Sequence, residues 1–470
     1  MPELWEMSAA AQAAAVKAGD VSSVDLVHAH LGRIEDVNPV VNAVTRIMPE
    51  DSLEAAAAID AARSAGEELG PLSGVPFTIK ENIDVAGQAT TQGVRALAEA
   101  VVAVDAPVVE RMKAAGAIPL ARTNLPDLGL RIHTDSDLHG LTRNPWHPDH
   151  TAGGSSGGEG VALATGMSPI GLGNDLGGSL RNPATCCSIA SIKPTTGRIP
   201  AAFTVPTPDD GIVGRTFTAQ GPMARTVADV RLGLEVLAGP HLRDPAAQPV
   251  PLSPPAPGIR RVALVAEPPG GVTDPRVAEV TRAVGDALTA ASCIVEEVEP
   301  PRFEEVVVCW SALVGSDVAA SFPLIEPILG GDAHKLLSDL RAGIGDVSLA
   351  DMNAMWLLRH SLARTWAQFF SEWDVMVTPT WAQLPFVHGA DVDTDATDVA
   401  DSVLVSHARP VLPANALGLP SVAVPAGIVD GLPVGVLVNG PAWSELLCLE
   451  VAEMIESAGL APRIPIDPRS

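Results

Sequence analysis

Residues Gly153–Thr195 read GGSSGGEGVALATGMSPIGLGNDLGGSLRNPATCCSIASIKPT. Two glycine-bracketed serine turns flank MSPIGLG, which has the length and apolar content of a short strand. After Asp175 no acidic residue occurs for 33 positions, until Asp209, in a chain that carries 56. Such turns are often only linkers. Here both lie between apolar, strand-like or helix-like segments, which argues against that. A phosphate cradle needs a lysine near Glu159, and a carboxylate there would repel phosphate. GLGNDLGG loosely matches a dinucleotide turn, but the acid gap removes the carboxylate that a ribose requires about 20 residues further on.

Two nucleophile schemes remain. Gly154–Gly158 satisfies G-x-S-x-G with Ser156 as nucleophile, and His360, His388 or His407 would then be the base of an α/β-hydrolase-type esterase. The other scheme is serine with lysine. The chain has only five lysines (Lys17, Lys80, Lys113, Lys193 and Lys335) among 30 basic residues. Arginine cannot act as a base near neutral pH, whereas a buried lysine can lose its proton. Lys80 follows the apolar run GVPFTI, where desolvation lowers a lysine pKa. A strand-end ion pair with Glu81 or Asp84 is the plainer role for it.

Outward from this block the pattern is α/β. Residues 1–70 have helical periodicity. DAPVVERMKAAGAIPLARTN reads as helix, glycine stop and strand. Seven prolines between 240 and 257 mark a surface loop. RRVALVAE is a strand, Pro275 opens a helix capped by Asp274, and CIVEEVE is a strand. Residues 303–372 read mainly as helix. DVMVTPT is a strand end, and the tail closes as strand, strand and a helix from Ser444. With 470 residues, 47% of them hydrophobic, the chain can build a large buried sheet.

Net charge of −26 argues against a phosphate-backbone partner and an anionic membrane surface. No run approaches the 18 apolar residues of a membrane span, and the N-terminus lacks the basic region of a signal peptide, so the cytoplasm is the expected compartment. Five cysteines point to reduced, mostly buried thiols. His133, His139, His147 and His150 crowd one stretch and could suggest a metal, although the family resemblance given below implies none there. DVDTDATDVAD from Asp391 opens like a calcium loop, then has Ala396 and Ser402 where glycine and glutamate are needed, and reads as a solvated loop.

The blocks together resemble the amidase signature family of serine hydrolases. The resemblance rests on Gly153–Thr195, on GVPFTIKENIDVAG before it, on GPMARTVADV after it, and on ANALGLPSVAVPAGIVDGLPVGVLVNGP near the C-terminus. It implies an α/β amidase-signature fold, with a large mixed, mostly buried β-sheet covered by helices on both faces. One domain over 1–470 is expected: N-terminal helices over 1–70, a catalytic core over 74–235, and a remainder over 258–470 whose stretch 300–410 borders the pocket.

The resemblance also implies a Ser–Ser–Lys triad. Ser179 is its nucleophile, Ser155 its proton bridge, held by a cis peptide bond, and Lys80 its base. The oxyanion hole would come from the N–H groups of Leu176, Gly177 and Gly178, with Ser179 a further candidate. Asp175, Ser156 and Arg181 are supporting residues. Asp175 would orient the turn, and Arg181 would make a structural ion pair or bind a substrate carboxylate. The acid gap suits a site that stabilises an oxyanion, and equally suits plain burial.

The implied reaction is hydrolysis of an amide or carbamate through a Ser179 acyl-enzyme, with no cofactor. The implied partner is a small-molecule substrate. Family members are often dimers, although no patch in the sequence marks such a contact. An A subunit of a glutamine-dependent tRNA amidotransferase, or an inactive binding protein of this fold, are the competing roles. The sequence departs from the family where F-C-G-x-x-G-L-K-P-T becomes C-C-S-I-A-S-I-K-P-T, so Ser188 and Ser191 replace two glycines. It also has no tyrosine.

Overall fold

The structure, a computed structural model, describes residues 3–205, 211–344, 347–392 and 403–469. Its strands are β1 Val44–Ile47, β2 Pro76–Lys80, β3 Ile118–Thr123, β4 Asp135–Ser136, β5 Gly140–Leu141, β6 Ile170–Asp175, β7 Ala190–Lys193, β8 Ala219–Ala224, β9 Arg261–Leu264, β10 Ile294–Glu297, β11 Val375–Pro379, β12 Ser421–Val429 and β13 Leu432–Asn439. β4 and β5 form a small ribbon. The other eleven make one sheet in the order β1-β3-β2-β6-β8-β7-β12-β13-β11-β9-β10. β3, β2 and β6 run parallel, as do β11, β9 and β10, and the remaining pairs are antiparallel. The sheet is therefore mixed, as expected. β1, β7 and β8 were not foreseen from the sequence.

Strand alternation divides the interior into two cores. On β11, Val375 and Val377 face one core and Met376 the other. On β13, Val436 and Val438 oppose Leu437, and on β9 Val262 and Leu264 oppose Ala263. The first core is closed by apolar faces of Pro107–Ala114, Val227–Leu237, Pro275–Ala290 and Glu445–Ser457. The second contains Gly157–Ala164, Arg181–Cys187, Phe303–Ile325 and Leu412–Leu417, the elements nearest the serine turns. The expected helix from Pro275 is capped by Asp274, whose carboxylate accepts from the Arg276 N–H. β12 and β13 are joined by Asp430 and Gly431 at φ 50° and 80°, the left-handed pair that an Asp-Gly hairpin turn supplies.

One helix is long and apolar enough to reach membrane length by composition, although no unbroken run of 18 apolar residues occurs in it. Within Phe303–Ile328 an 18-residue window reaches a mean hydropathy of 1.5. Phe303, Val306, Cys309, Trp310 and Leu313 nonetheless pack into the second core. All five thiols are buried and unpaired. Residues 393–401 of the acidic loop lie outside the described residues.

The two serines that replace family glycines behave differently. Ser191 Oγ donates to the Leu180 carbonyl at 3.0 Å, bracing the segment after the second serine turn. Ser188 ends Arg181–Cys187 at φ 58°, and its buried hydroxyl has no hydrogen-bond partner among the described residues. A side chain in this left-handed region costs roughly 1–2 kcal/mol, which glycine does not incur. Ser188→Gly is therefore expected to raise stability by about 1 kcal/mol. A rightward shift of the urea midpoint would show it, and a leftward shift would contradict it.

Candidate active site

β2 and β6 lie side by side at the centre of the site. Lys80 is the last residue of β2 and is fully buried. Its Nζ lies 2.7 Å from Ser155 Oγ and 2.8 Å from Asn174 Oδ1. The Gly154–Ser155 peptide is cis. Ser155 and Ser179 line one cavity of about 200 Å³, together with Asn82, Gln92, Leu128, Leu130, Asn174, Leu176, Phe203, Val205 and Thr218. Burial lowers the Lys80 pKa to about 7, against the pull of Asp175 and Glu159. A neutral amine, and hence a base, is thus available at mild pH.

The glycines of β6 explain how the first serine turn fits. A Cβ on Gly173 would meet Ser156 Oγ and Leu180 at 2.9 Å, and one on Gly171 would overlap the Glu159 carboxyl. The helix Gly157–Ala164 therefore lies directly on the strand. Its Glu159 is fully buried and accepts hydrogen bonds from the hydroxyls of Thr78 and Thr123. Burial raises its pKa to about 7, offset in part by those hydroxyls and by Lys80. Sequence reasoning assigned Glu159 no role.

Asp175 organises the second turn. Its carboxylate accepts from Gly178 N at 2.7 Å, Leu180 N at 3.1 Å, Arg181 Nε at 2.9 Å and Asn415 Nδ2 at 2.8 Å. Burial opposes its ionisation, but the Arg181 guanidinium and these donors hold it well below the usual carboxylate range. The bond to Gly178 corrects one expectation: the Gly178 N–H is spent on Asp175. The N–H groups of Leu176, Gly177 and Ser179 have no acceptor among the described residues. Arg181 is also settled. Its donors go to Asp175, to the Val411 carbonyl, to Ser421 and to Asn415, so none remains for a substrate carboxylate.

Ser156 is fully buried and its Oγ has no hydrogen-bond partner among the described residues. No histidine is therefore bonded to it, as a G-x-S-x-G elbow requires. The crowded histidines serve elsewhere: His147 and His150 meet at 2.9 Å, and His133 bonds Thr151. Among the described residues no group of three or more His, Cys, Asp or Glu is placed to hold a metal.

Residues 300–410 contribute none of the described cavity lining, which comes from residues 82–218. They stand behind the turns. Trp310 Nε1 donates to the Leu176 carbonyl at 3.1 Å, and a Cβ on Gly177 would strike its ring at 2.5 Å. Trp381 Nε1 donates to Asn182 Oδ1 at 2.7 Å, while Asn182 Nδ2 reaches the carbonyls of Gly154 and Gly177. Asn182 thus ties the two serine turns together.

A mixed sheet with these two turns over a buried lysine defines the class of amidase-signature hydrolases. The chain belongs to the amidase family, whose model matches residues 25–449. It is 40% identical over 456 residues to the indoleacetamide hydrolase of Bradyrhizobium diazoefficiens, covering 97% of this chain and 87% of that protein. It is 33% identical over 474 residues to the A subunit of the glutamyl-tRNA(Gln) amidotransferase of Synechococcus sp. strain WH7803, covering 94% of each. The solved structure of a bacterial aryl acylamidase of the amidase signature family superposes with a TM-score of 0.86 at 28% identity, over 98% of both chains.

Proposed function

We propose that the protein hydrolyses a compact, uncharged amide through an acyl-enzyme on Ser179. The contact between Lys80 and Ser155, at a cavity that Ser179 also lines, carries this reading. Neutral Lys80 takes a proton from Ser155 as Ser155 takes one from Ser179. The Ser179 oxygen attacks the carbonyl carbon, and the developing oxyanion meets the free N–H groups of Leu176, Gly177 and Ser179. Ser155 then protonates the departing nitrogen and Lys80 resupplies Ser155. Water attacks the ester through the same relay and releases the acid and Ser179.

The cavity supports a substrate class. Its described lining combines Leu128, Leu130, Leu176, Phe203 and Val205 with the uncharged amides Asn82, Gln92 and Asn174. An aliphatic or aromatic acyl group desolvates well against these side chains. Indoleacetamide, named for the relative with 40% identity, is of this kind. A carbamate would enter the same relay. The amidotransferase relative raises a second reading, with glutamine as ammonia donor. Glutamine brings an ammonium and a carboxylate, and no charged side chain stands in the described lining to receive them.

Ammonia release from phenylacetamide, indole-3-acetamide and L-glutamine tests both. Release from the arylacetamides and not from glutamine is expected. Release from glutamine alone would overturn the proposal.

A further inference from the structure

We propose that Asn174 and Asn82 form a positioning pair that aims the lone pair of Lys80 at Ser155. This rests on the reading of Lys80 as base. A neutral lysine amine has two N–H donors and one lone pair. It can take the Ser155 proton only if the lone pair faces Ser155 Oγ, so an N–H must find its acceptor elsewhere. Asn174 Oδ1, 2.8 Å from Nζ, is that acceptor.

An asparagine amide can turn over without changing shape. If Asn174 presented its NH2 instead, that group would claim the lysine lone pair and silence the base. The ammonium form of Lys80, which can only donate, selects the oxygen, and Asn82 holds that choice. Asn174 Nδ2 donates to Asn82 Oδ1 at 2.9 Å, and Asn82 Nδ2 donates back to Asn174 Oδ1 at 3.3 Å. The reciprocal pair couples the two amides, so that neither can turn over alone, and the Asn174 oxygen stays towards Lys80. Asn174 stands beside Asp175 at the end of β6 and is only 7% exposed, while Asn82 follows Lys80 by two residues. The pair therefore also joins the strand end that bears the lysine to the one that leads into the nucleophile turn.

The other charged groups that act on Lys80 are Asp175, from β6, and Glu159, from the helix Gly157–Ala164. Both favour its ammonium form, so the uncharged character of the Asn174–Asn82 pair matters. A third carboxylate in this position would hold the proton on the lysine.

The test is the pH dependence of Ser179 labelling by a fluorophosphonate, which needs no amide substrate. The wild-type rate should rise through pH about 7 as Lys80 loses its proton. In Asn174→Asp a carboxylate replaces the amide oxygen, and an opposite charge at this range raises a lysine pKa by about one to three units. The rise should move up by at least one pH unit, lower the rate at pH 7 about tenfold, and recover in alkali. In Asn174→Ala the acceptor is lost, and the rise should move the other way, to a lower plateau. A merely structural role would not move the two variants in opposite directions. Asn82→Ala, at a partly exposed site, should lower the plateau and covers the case in which Asn174→Asp does not fold.

Wild-type midpoints in both Asn174 variants, or a wild-type plateau in Asn82→Ala, would overturn the pair. Lys80→Ala separates the two readings. If it labels like wild type, the base assignment itself is lost. If it does not label while the asparagine variants titrate like wild type, only the positioning pair is lost.

Discussion

Ser179→Ala is expected to abolish amide hydrolysis, with a loss in kcat on the order of 10⁴–10⁶. On the proposed mechanism the substitution removes the attacking oxygen, and little else. Ser179 lines the cavity and is 9% exposed, so no buried partner is orphaned when its hydroxyl goes. The turn around it is held by Asp175 through Gly178, Leu180 and Arg181, none of which depends on the Ser179 side chain. Its backbone N–H also stays in place for the oxyanion. The variant should therefore unfold at the wild-type urea midpoint while losing both turnover and the fluorophosphonate adduct. Ser156→Ala removes a hydroxyl without a partner, and Ser179 should still be labelled in it. An adduct that persists in Ser179→Ala and vanishes in Ser156→Ala would reverse the assignment of the nucleophile.

Asp175→Ala should give the largest loss of stability, about 3–5 kcal/mol. Asp175 and Arg181 are both fully buried, and their ion pair is 2.9 Å long. Removing the carboxylate strands a guanidinium away from water, which costs far more than an intact pair gains. It also leaves the N–H groups of Gly178 and Leu180 without their acceptor, and takes one of three from the Asn415 amide. A urea midpoint that falls at constant m would record the loss. A change below about 1 kcal/mol would mean that the network relaxes around the gap, at odds with its burial. Activity should fall as well, because the same carboxylate shapes the turn that carries Ser179.

The parts of the fold legible in sequence are those governed by local pattern. Helix 275–290 announced itself through Asp274 and Pro275, and the final hairpin through Asp-Gly between two alternating apolar runs. β7, with the sequence ASIK, gave no such signal. It is a strand because β8 and β12 flank it, which no window of four residues records. The site divides in the same way. Lys80, Ser155 and Ser179 lie in glycine-marked or apolar contexts that single them out. Asn82, Asn174, Asn182, Asn415 and Trp310 are ordinary residues in sequence, and their importance arises from partners that reach from 5 residues away, for Asn182 and Gly177, to 240, for Asn415 and Asp175. The acid gap has a structural counterpart: from Gly153 to Thr195 every residue is buried except Leu176 and Gly177, which are partly so. Burial alone accounts for most of it.

The order of strands has a consequence for synthesis. β12 and β13 are the last strands to leave the ribosome, yet they sit in mid-sheet, between β7 and β11. Until residues 421–439 emerge, β7 and β11 are open edges whose unpaired backbone groups invite pairing with another chain. Asn415, which braces Asp175, arrives equally late. The nascent chain thus carries Lys80, Ser155 and Ser179 long before it can hold them in place, and a chain stopped short of residue 421 would expose both edges at once.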